Sequence, residues 1–346
     1  FSSLYPTTII AYNIDFSTLV RDDDDIPDSA CNIIEWEDHI GCCHDTTVRK
    51  QKVKKVICAK RRYRFIKSPM GVLPTLLQAL LDARSGTKRE MKAAKKELRD
   101  LPDDSDRAKY LKKLVIVLNK RQLSFKVSAN SMYGAMGVRR GYLPFLPGAM
   151  CTTAWGRMNI QRAAKRLQEV HHGELVYGDT DSNYIHFPQF DNAQELWDHC
   201  LEVEEDISSI FPPPMRMAFE EVIYWRFLIL TKKRYMYLDC GRDGVVSDKV
   251  GKKGVLLARR DNSAFIRQVY KEAVEMTFAR NTWDQVMKHL CDRFNNLCSG
   301  FFGHRDFVIT KSIGEIADYA TMSSGRLAHD NTKKRIKQLD DYYIKC

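Results

Sequence analysis

No stretch of this chain approaches the ~18 consecutive apolar residues that cross a bilayer. Its opening, Phe1-Ser2-Ser3-Leu4-Tyr5-Pro6, has neither the basic nor the apolar region of a secretion signal. Both absences point away from a membrane and toward an intracellular protein. Cysteine is scarce, 10 in 346 residues, too few for a disulfide scaffold and in keeping with a reducing compartment. The cysteines that cluster, Cys42 and Cys43 beside His44, with Cys58 further on, follow no CxxC spacing, so the pattern argues against a metal there. Internal repeats and low-complexity tracts are missing too. Acidic residues vanish between Thr46 and Lys67, where ten Lys/Arg stand unopposed (Arg49, Lys50, Lys52, Lys54, Lys55, Lys60, Arg61, Arg62, Arg64, Lys67). Val53, Val56, Ile57, Tyr63 and Phe65 interleave with them. Such a ribbon suits a phosphate backbone, and suits nearly as well the solvated face of an ordinary sheet. The net charge of +11 favours a polyanionic partner, nucleic acid or an anionic surface.

What the chain does have is an unusual pair of acids. Tyr177-Gly178-Asp179-Thr180-Asp181-Ser182 lies between the apolar runs Glu174–Tyr177 and Tyr184–Phe187, a pattern that predicts strand, tight turn, strand. Two ionised carboxylates about 5 Å apart repel by roughly 3 kcal/mol at an effective dielectric near 20. Such a turn attracts hard divalent cations. Alone, it reads equally as a solvated hairpin, since Asp is common in turns.

Around it the periodicities alternate between helix and strand. Pro6 suits the first turn of a helix through Thr7–Ala11, and Asp22 to Asp25 form a surface loop. From Gly71 a long helix is predicted, with Leu73, Leu76, Leu77, Leu80 and Leu81 on one face and a basic stripe through Arg84, Lys88, Lys92 and Lys95/Lys96. Pro102 and the acids after it break the pattern. A second helix follows from about Arg107 to Met132, with Leu111, Leu114, Val115, Leu118, Leu123 and Val127 as its seam. Together these predict an antiparallel finger about 40 Å long, at 1.5 Å per residue. Lys126, Asn130, Tyr133 and Gly134 share a face at i, i+4, i+7 and i+8, an arrangement for a flat phosphorylated ligand; the plainer reading makes Gly134 a helix stop. Further helices are predicted from Trp155 to Val170 and from about Ala193 to Ile210. Strand-like runs follow at Met217–Glu220 and Tyr224–Leu230, the second continuing into Lys232-Lys233-Arg234-Tyr235, whose cations suit a nucleic-acid contact. Val250 to Asn262 is a second basic segment, and from Ser263 the pattern is helical.

By these residues the chain resembles a family B, alpha/delta-like DNA-directed DNA polymerase. Ser3-Leu4-Tyr5-Pro6-Thr7 is similar to the tail of that family's first palm motif, whose usual form is Asp-x-x-Ser-Leu-Tyr-Pro-Ser. Lys126 to Gly134 resembles its fingers-helix motif, Tyr177 to Ser182 its second palm motif, and Lys232 to Tyr235 its primer-grip motif. The four occur in the family's order between Ser2 and Asn262. The resemblance implies an α+β, right-hand fold: palm at 1–68 and 135–250, an antiparallel sheet with helices; fingers, a helical hairpin, at 69–134; and a partial helical thumb at 251–346. It implies template-directed transfer of deoxynucleotidyl groups from dNTPs to a primer 3′-OH, with two magnesium ions. Asp179, Asp181 and Glu220 are then the catalytic carboxylates, Asp179 and Asp181 the metal ligands, with Glu221 close enough to compete for Glu220's role. Ser3, Leu4, Tyr5, Arg84, Lys88, Lys126, Asn130 and Tyr133 hold the nucleotide, with Tyr5 beneath the sugar to exclude a ribose 2′-OH. Gly134, Thr180, Lys232, Lys233, Arg234, Tyr235, Lys253, Gly254 and Arg260 meet the primer–template DNA. A processivity factor is a further partner in this family.

The family's first motif begins with an aspartate three residues ahead of Ser3, and this chain begins at Phe1. An internal fragment, inactive alone, is therefore expected. The Asp22–Asp25 and Cys42-Cys43-His44 stretch points to a large eukaryotic DNA virus, hence to a host nucleus or a cytoplasmic viral replication site. Two alternatives remain at this stage. A reverse transcriptase or RNA-directed RNA polymerase also carries paired palm acids, usually adjacent, whereas here Thr180 intervenes. A basic duplex-binding module with relict carboxylates is the other.

Overall fold

Pro6 occupies the first turn of α1 (Leu4–Ala11), where a missing N–H breaks no helical bond. In this computed structural model the described residues are 1–21, 23–46, 55–102, 105–255 and 262–309. Leu4, Pro6, Thr7, Thr8, Ile9 and Ile10 of α1 are all buried, so this short helix is a central element with no solvent stripe. The chain divides into two compact units, 1–223 with 241–245, and 224–240 with the residues from 246 onward.

In the first unit a three-stranded antiparallel sheet has the order β1 (Leu19–Val20), β3 (Ile57–Ile66), β2 (Cys31–Ile40). Its register pairs Glu35 with Arg62, Trp36 with Arg61 and Glu37 with Lys60. The cations of β3 are thus answered by acids. Arg61 meets Asp38 at 3.2 Å, Arg62 meets Glu35 at 2.8 Å and Asp28 at 2.5 Å, and Arg64 meets Asp28 at 3.3 Å. This half of the basic ribbon is the charged face of an ordinary sheet, with cross-strand pairs each worth a few tenths of a kcal/mol. Arg49, Lys50, Lys52 and Lys54 lie outside the described residues, as does Asp22.

Helices α2 (Val72–Arg99) and α3 (Asp106–Met136) form the predicted finger. Small residues at the seam, Thr87, Ala94, Ala108 and Ala129, alternate with Leu77, Leu111 and Leu118, and all are buried. The seam departs from expectation after Leu118. At 3.6 residues per turn it runs on through Gln122, Phe125 and Ala129, which leaves Leu123 and Val127 on the outer face, 45% and 57% exposed. Nor is Gly134 a stop: α3 continues to Met136 and is capped at Gly137.

Helix α4 (Leu146–His171) buries Gly148, Ala149, Ala154 and Gly156 and presents Gly156 to α1, where a Cβ would stand 3.4 Å from Leu4 Cδ2. Tyr12 and Trp155 stack at 4.2 Å within the core formed by α1, β2, β3, α2, α3 and α4. A second core joins α1 and α4 to α5 (Ala193–Ser209) through Leu4, Leu167, Ile207 and Phe211. The hairpin β4 (Glu174–Asp179) and β5 (Ser182–His186) is as predicted. Met217–Glu220 is not a strand: it pairs with α5, the Phe219 amide donating to Glu204 Oε2 at 2.9 Å and Ser208 bridging Met217.

In the second unit, β6 (Ile223–Thr231), β7 (Arg234–Cys240) and β8 (Val246–Lys253) form a sheet in that order. It packs on α6 (Ala264–Phe278) through Met236, Val255, Val274 and Phe278. Helix α7 (Trp283–Cys298) starts at a reciprocal cap between Thr282 and Gln285 and follows α6. Among the described residues no helix is long and apolar enough to cross a membrane.

Candidate functional site

Thr180 and Asp181 form the two-residue tip between β4 and β5, with Thr180 in the left-handed region at φ 55°. The Asp181 amide folds back on Asp179 O at 2.6 Å, and the hydroxyls of Thr180 and Ser182 donate to Asp179 Oδ1 and O. Asn183 Nδ2 donates to Ile160 O at 3.3 Å and ties the hairpin to α4. The amino group of Phe1 donates to Asp181 O. Glu220 lies exposed on the segment after α5, near enough to Lys88 to act on its charge. The donor set is all oxygen, which fits magnesium and other hard cations. Among the described residues these carboxylates do not close into a cage; magnesium is commonly held by one or two carboxylates plus substrate phosphate.

A cationic group faces the same helix α1. Arg84 Nη1 donates to Ser3 Oγ at 3.0 Å, and its Nε meets Gln122 Oε1 at 3.4 Å. Burial lowers the pKa of Arg84. Lys88 is lowered by burial, then by the nearby charges of Arg84 and Lys126, with Glu220 acting the other way. Arg84 and Lys126 thus bring two further cations to Lys88, and a group of three is suited to an anion. Ser3 stands at φ 60° as the N-cap of α1 and makes no side-chain cap bond, so its hydroxyl does not answer the first amides of the helix. Tyr5 and Tyr133 rings lie 4.2 Å apart. Tyr5 is raised by burial, then by Tyr133 and Asp181, which places this ring between the acidic tip and α3. Lys126, Asn130 and Gly134 lie exposed along α3, and a Cβ on Gly134 would meet nothing within 4 Å. Gln122, which orients Arg84, was not singled out in the sequence; its position four residues before Lys126 on α3 is the only signal it gives.

In the second unit Lys232 and Lys233 form the exposed turn between β6 and β7, with Lys233 at φ 64°. Tyr235 pairs with Lys253 across the sheet. A Cβ on Gly254 would stand 2.2 Å from Lys233 O, so this glycine, at φ 61°, is required by close backbone approach. Lys232, Lys233, Arg234, Lys253 and Gly254 thus share one end of the sheet. Tyr235 is a buried member of the row with Phe227 and Tyr237, so the outer surface is made by the cations. Arg260 lies outside the described residues.

One cluster eluded the spacing argument. His39, Cys42, His44 and Cys58 bring one donor atom each to within 4.8 Å of one another. His39 gives no signal in the sequence, because the pairing that sets it opposite Cys58 is a matter of strand register.

The sequence profile of DNA polymerase family B matches residues 1–344. DNA polymerase 120R of Invertebrate iridescent virus 3 is 46% identical, over 92% of this chain and 31% of that protein. The DNA polymerase delta catalytic subunit of Plasmodium falciparum is 29% identical, over 98% of this chain and 28% of that protein. The chain thus spans about a third of the length of the curated relatives it matches. A family B DNA polymerase from the archaeon Pyrobaculum calidifontis has the same fold, with a TM-score of 0.57 at 20% identity, over 93% of this chain and 35% of that one. The match over nearly every residue, on a fold shared with an archaeal member and with the motif residues gathered around α1, makes this chain a member of family B of the DNA polymerases.

Proposed function

We propose that the chain supplies the palm, the fingers and part of the thumb of a polymerase that copies DNA, adding deoxynucleotides to a primer 3′-OH. The observation that carries this reading is the meeting of fingers and first motif: Arg84 on Ser3, Lys88 and Lys126 beside it, and Tyr5 coupled to both Tyr133 and Asp181. Arg84, Lys88 and Lys126 bind the triphosphate through charge-assisted bonds, together with the free amides at the start of α1. Asn130 and Tyr133 line the nascent base pair, and Gly134 leaves room for it. Tyr5 packs beneath the sugar. Asp179 and Asp181 offer carboxylate oxygens to two magnesium ions, with Glu220 adding negative field. Such ions, when bound, would supply Lewis-acid activation of the attacking hydroxyl and neutralisation of charge on the leaving pyrophosphate. Lys232, Lys233, Arg234 and Lys253 contact the phosphates of the primer strand, and Thr180 lies at the hairpin tip that approaches its end. A processivity factor as partner and a host nucleus or cytoplasmic viral replication site as setting are part of the same reading, and no residue here carries either.

The test is Asp181→Ala in a polymerase that carries this segment. Primer extension with magnesium and dNTPs should fall by three orders of magnitude or more, on the order of 4 kcal/mol in the barrier, with duplex affinity held within about twofold. Parallel loss of affinity and extension would make Asp181 a structural residue and overturn the reading.

A further inference from the structure

The end of the β2–β3 hairpin carries a second, chemically different site. His39 is the last residue but one of β2, Cys42 and His44 lie in the connection that follows, and Cys58, the second residue of β3, stands directly across from His39 in the register. His39 Nδ1 is 3.5 Å from Cys42 Sγ and 3.5 Å from Cys58 Sγ, and His44 Nδ1 is 3.5 Å from Cys58 Sγ. A tetrahedral zinc with Zn–S near 2.3 Å and Zn–N near 2.0–2.1 Å sets its sulfur and nitrogen ligands about 3.6 Å apart. The three distances match that edge.

A separate observation concerns the far side of the ring. His39 Nε2 lies 3.1 Å from Glu37 Oε2. A proton held there by the carboxylate leaves Nδ1 as a bare lone pair facing the two sulfurs. Carboxylate, imidazole and vacant nitrogen in line is the arrangement by which metal-bound histidines are oriented and made more basic. The backbone supports the same geometry. Gly41 turns the chain at φ 67° and donates its amide to Asp45 Oδ2 at 2.6 Å, while the Asp45 amide closes on Cys42 O at 3.0 Å, which fixes the loop that offers Cys42 and His44.

We propose that His39, Cys42, His44 and Cys58 bind one structural zinc ion that clasps the end of this hairpin. All four corners are protein side chains, so no position is open for substrate, and the ion is a staple rather than a catalyst. Two soft thiolates and two imidazoles select zinc over the magnesium that suits the carboxylates of Asp179 and Asp181. Binding displaces the two thiol protons to solvent and ties two strands at a point where each residue is partly or fully exposed and packing alone holds little. Cys43, adjacent but outside the four, is a built-in control.

The experiment is metal analysis of the purified 346-residue chain kept in reductant and passed over a chelating resin. About one zinc per chain should remain, and cobalt(II) put in its place should give the intense visible bands of a tetrahedral thiolate site. Cys58→Ser and His39→Ala should each lose the ion, whereas Cys43→Ser and Asp181→Asn retain it. Glu37→Gln, which keeps all four ligands, should weaken zinc binding by about 10-fold to 100-fold. A chain that takes up no zinc when zinc is supplied overturns the proposal. So does equal loss in Cys43→Ser and Cys58→Ser, or a cobalt spectrum of octahedral oxygen ligation. None of these results bears on primer extension, so the zinc site and the polymerase reading stand or fall separately.

Discussion

Tyr5 sits where burial, the Tyr133 ring and the Asp181 carboxylate all raise its pKa, so the phenol stays neutral across the physiological range. With its ring 4.2 Å from that of Tyr133, it is held rather than free to swing. A rigid neutral ring of this size is suited to reject a substrate by bulk alone. Tyr5→Ala, in a polymerase carrying this segment, should raise ribonucleotide use relative to deoxynucleotide use by about 10-fold to 200-fold, the range of a steric pocket worth ~1–3 kcal/mol. The ratio of kcat/KM values for the two nucleotides measures it, and an unchanged ratio would remove Tyr5 from that role. At this scale much of the site was legible in the sequence. Arg84, Lys88, Lys126, Tyr5 and Asp181 are polar or aromatic residues in short motifs, and short motifs survive being read in one dimension. Gln122 and His39 were not, since each acts through a partner brought up by helix pairing or strand register.

The elements are held together by a polar latch that no motif announces. Helix α2 has Gly71 as its N-cap, without a side chain to cap it. Asp15 does so from a distance: its carboxylate accepts from the amides of Val72 and Leu73 at 3.3 Å each, and from Ser17. Asn13, at φ 52°, accepts from the Gly71 amide and donates to Ile66 O and Pro69 O at 2.8 Å. A Cβ on Gly71 would come within 2.6 Å of Asp15 Cβ, so the glycine is the space the latch requires. The root of the finger is thereby fixed to the end of α1, a few residues from Ser3, Leu4 and Tyr5. Asp15→Ala strips a buried cap and leaves two amides at the helix start without a partner. It should lower stability by about 1–2 kcal/mol, read as a shift in the denaturant midpoint without a change in slope. A loss below a few tenths of a kcal/mol would show that solvent satisfies these amides equally well. Helix existence was legible from periodicity, while the latch was not, because caps supplied from 50 or more residues away leave no local spacing. The drift of the α3 seam past Leu118 has a related cause: a strip of apolar residues on a long helix can lie on either side of the true contact line, and only the partner helix decides.

In each unit two helices are joined through a carboxylate that a guanidinium holds ionised. In the first, Arg166 and then His171 bond Asp206, joining α4 to α5, and the Asp206 pKa falls to about 2. In the second, Arg293 bonds Glu272 at both oxygens, with Gln268 and His289 assisting, and joins α6 to α7 with a pKa again near 2. Both folded pKa values lie below the ordinary 3.8 and 4.5. The sign follows from linkage: the unfolded chain binds these protons first, so the stabilisation is complete above about pH 4.5 and is lost as pH falls toward 2. The two compact units should therefore weaken in the same acid window although they share neither pair. Hydrogen exchange followed from pH 5 down to pH 2, roughly the span between the two sets of pKa values, can resolve them. Exchange in α4 and α5 should accelerate independently of exchange in α6 and α7. Asp206→Asn should flatten the acid dependence of the first pair of helices only, and Glu272→Gln that of the second only. If either substitution flattens both, the units unfold as one body, and the acid response belongs to the chain as a whole rather than to its two clasps.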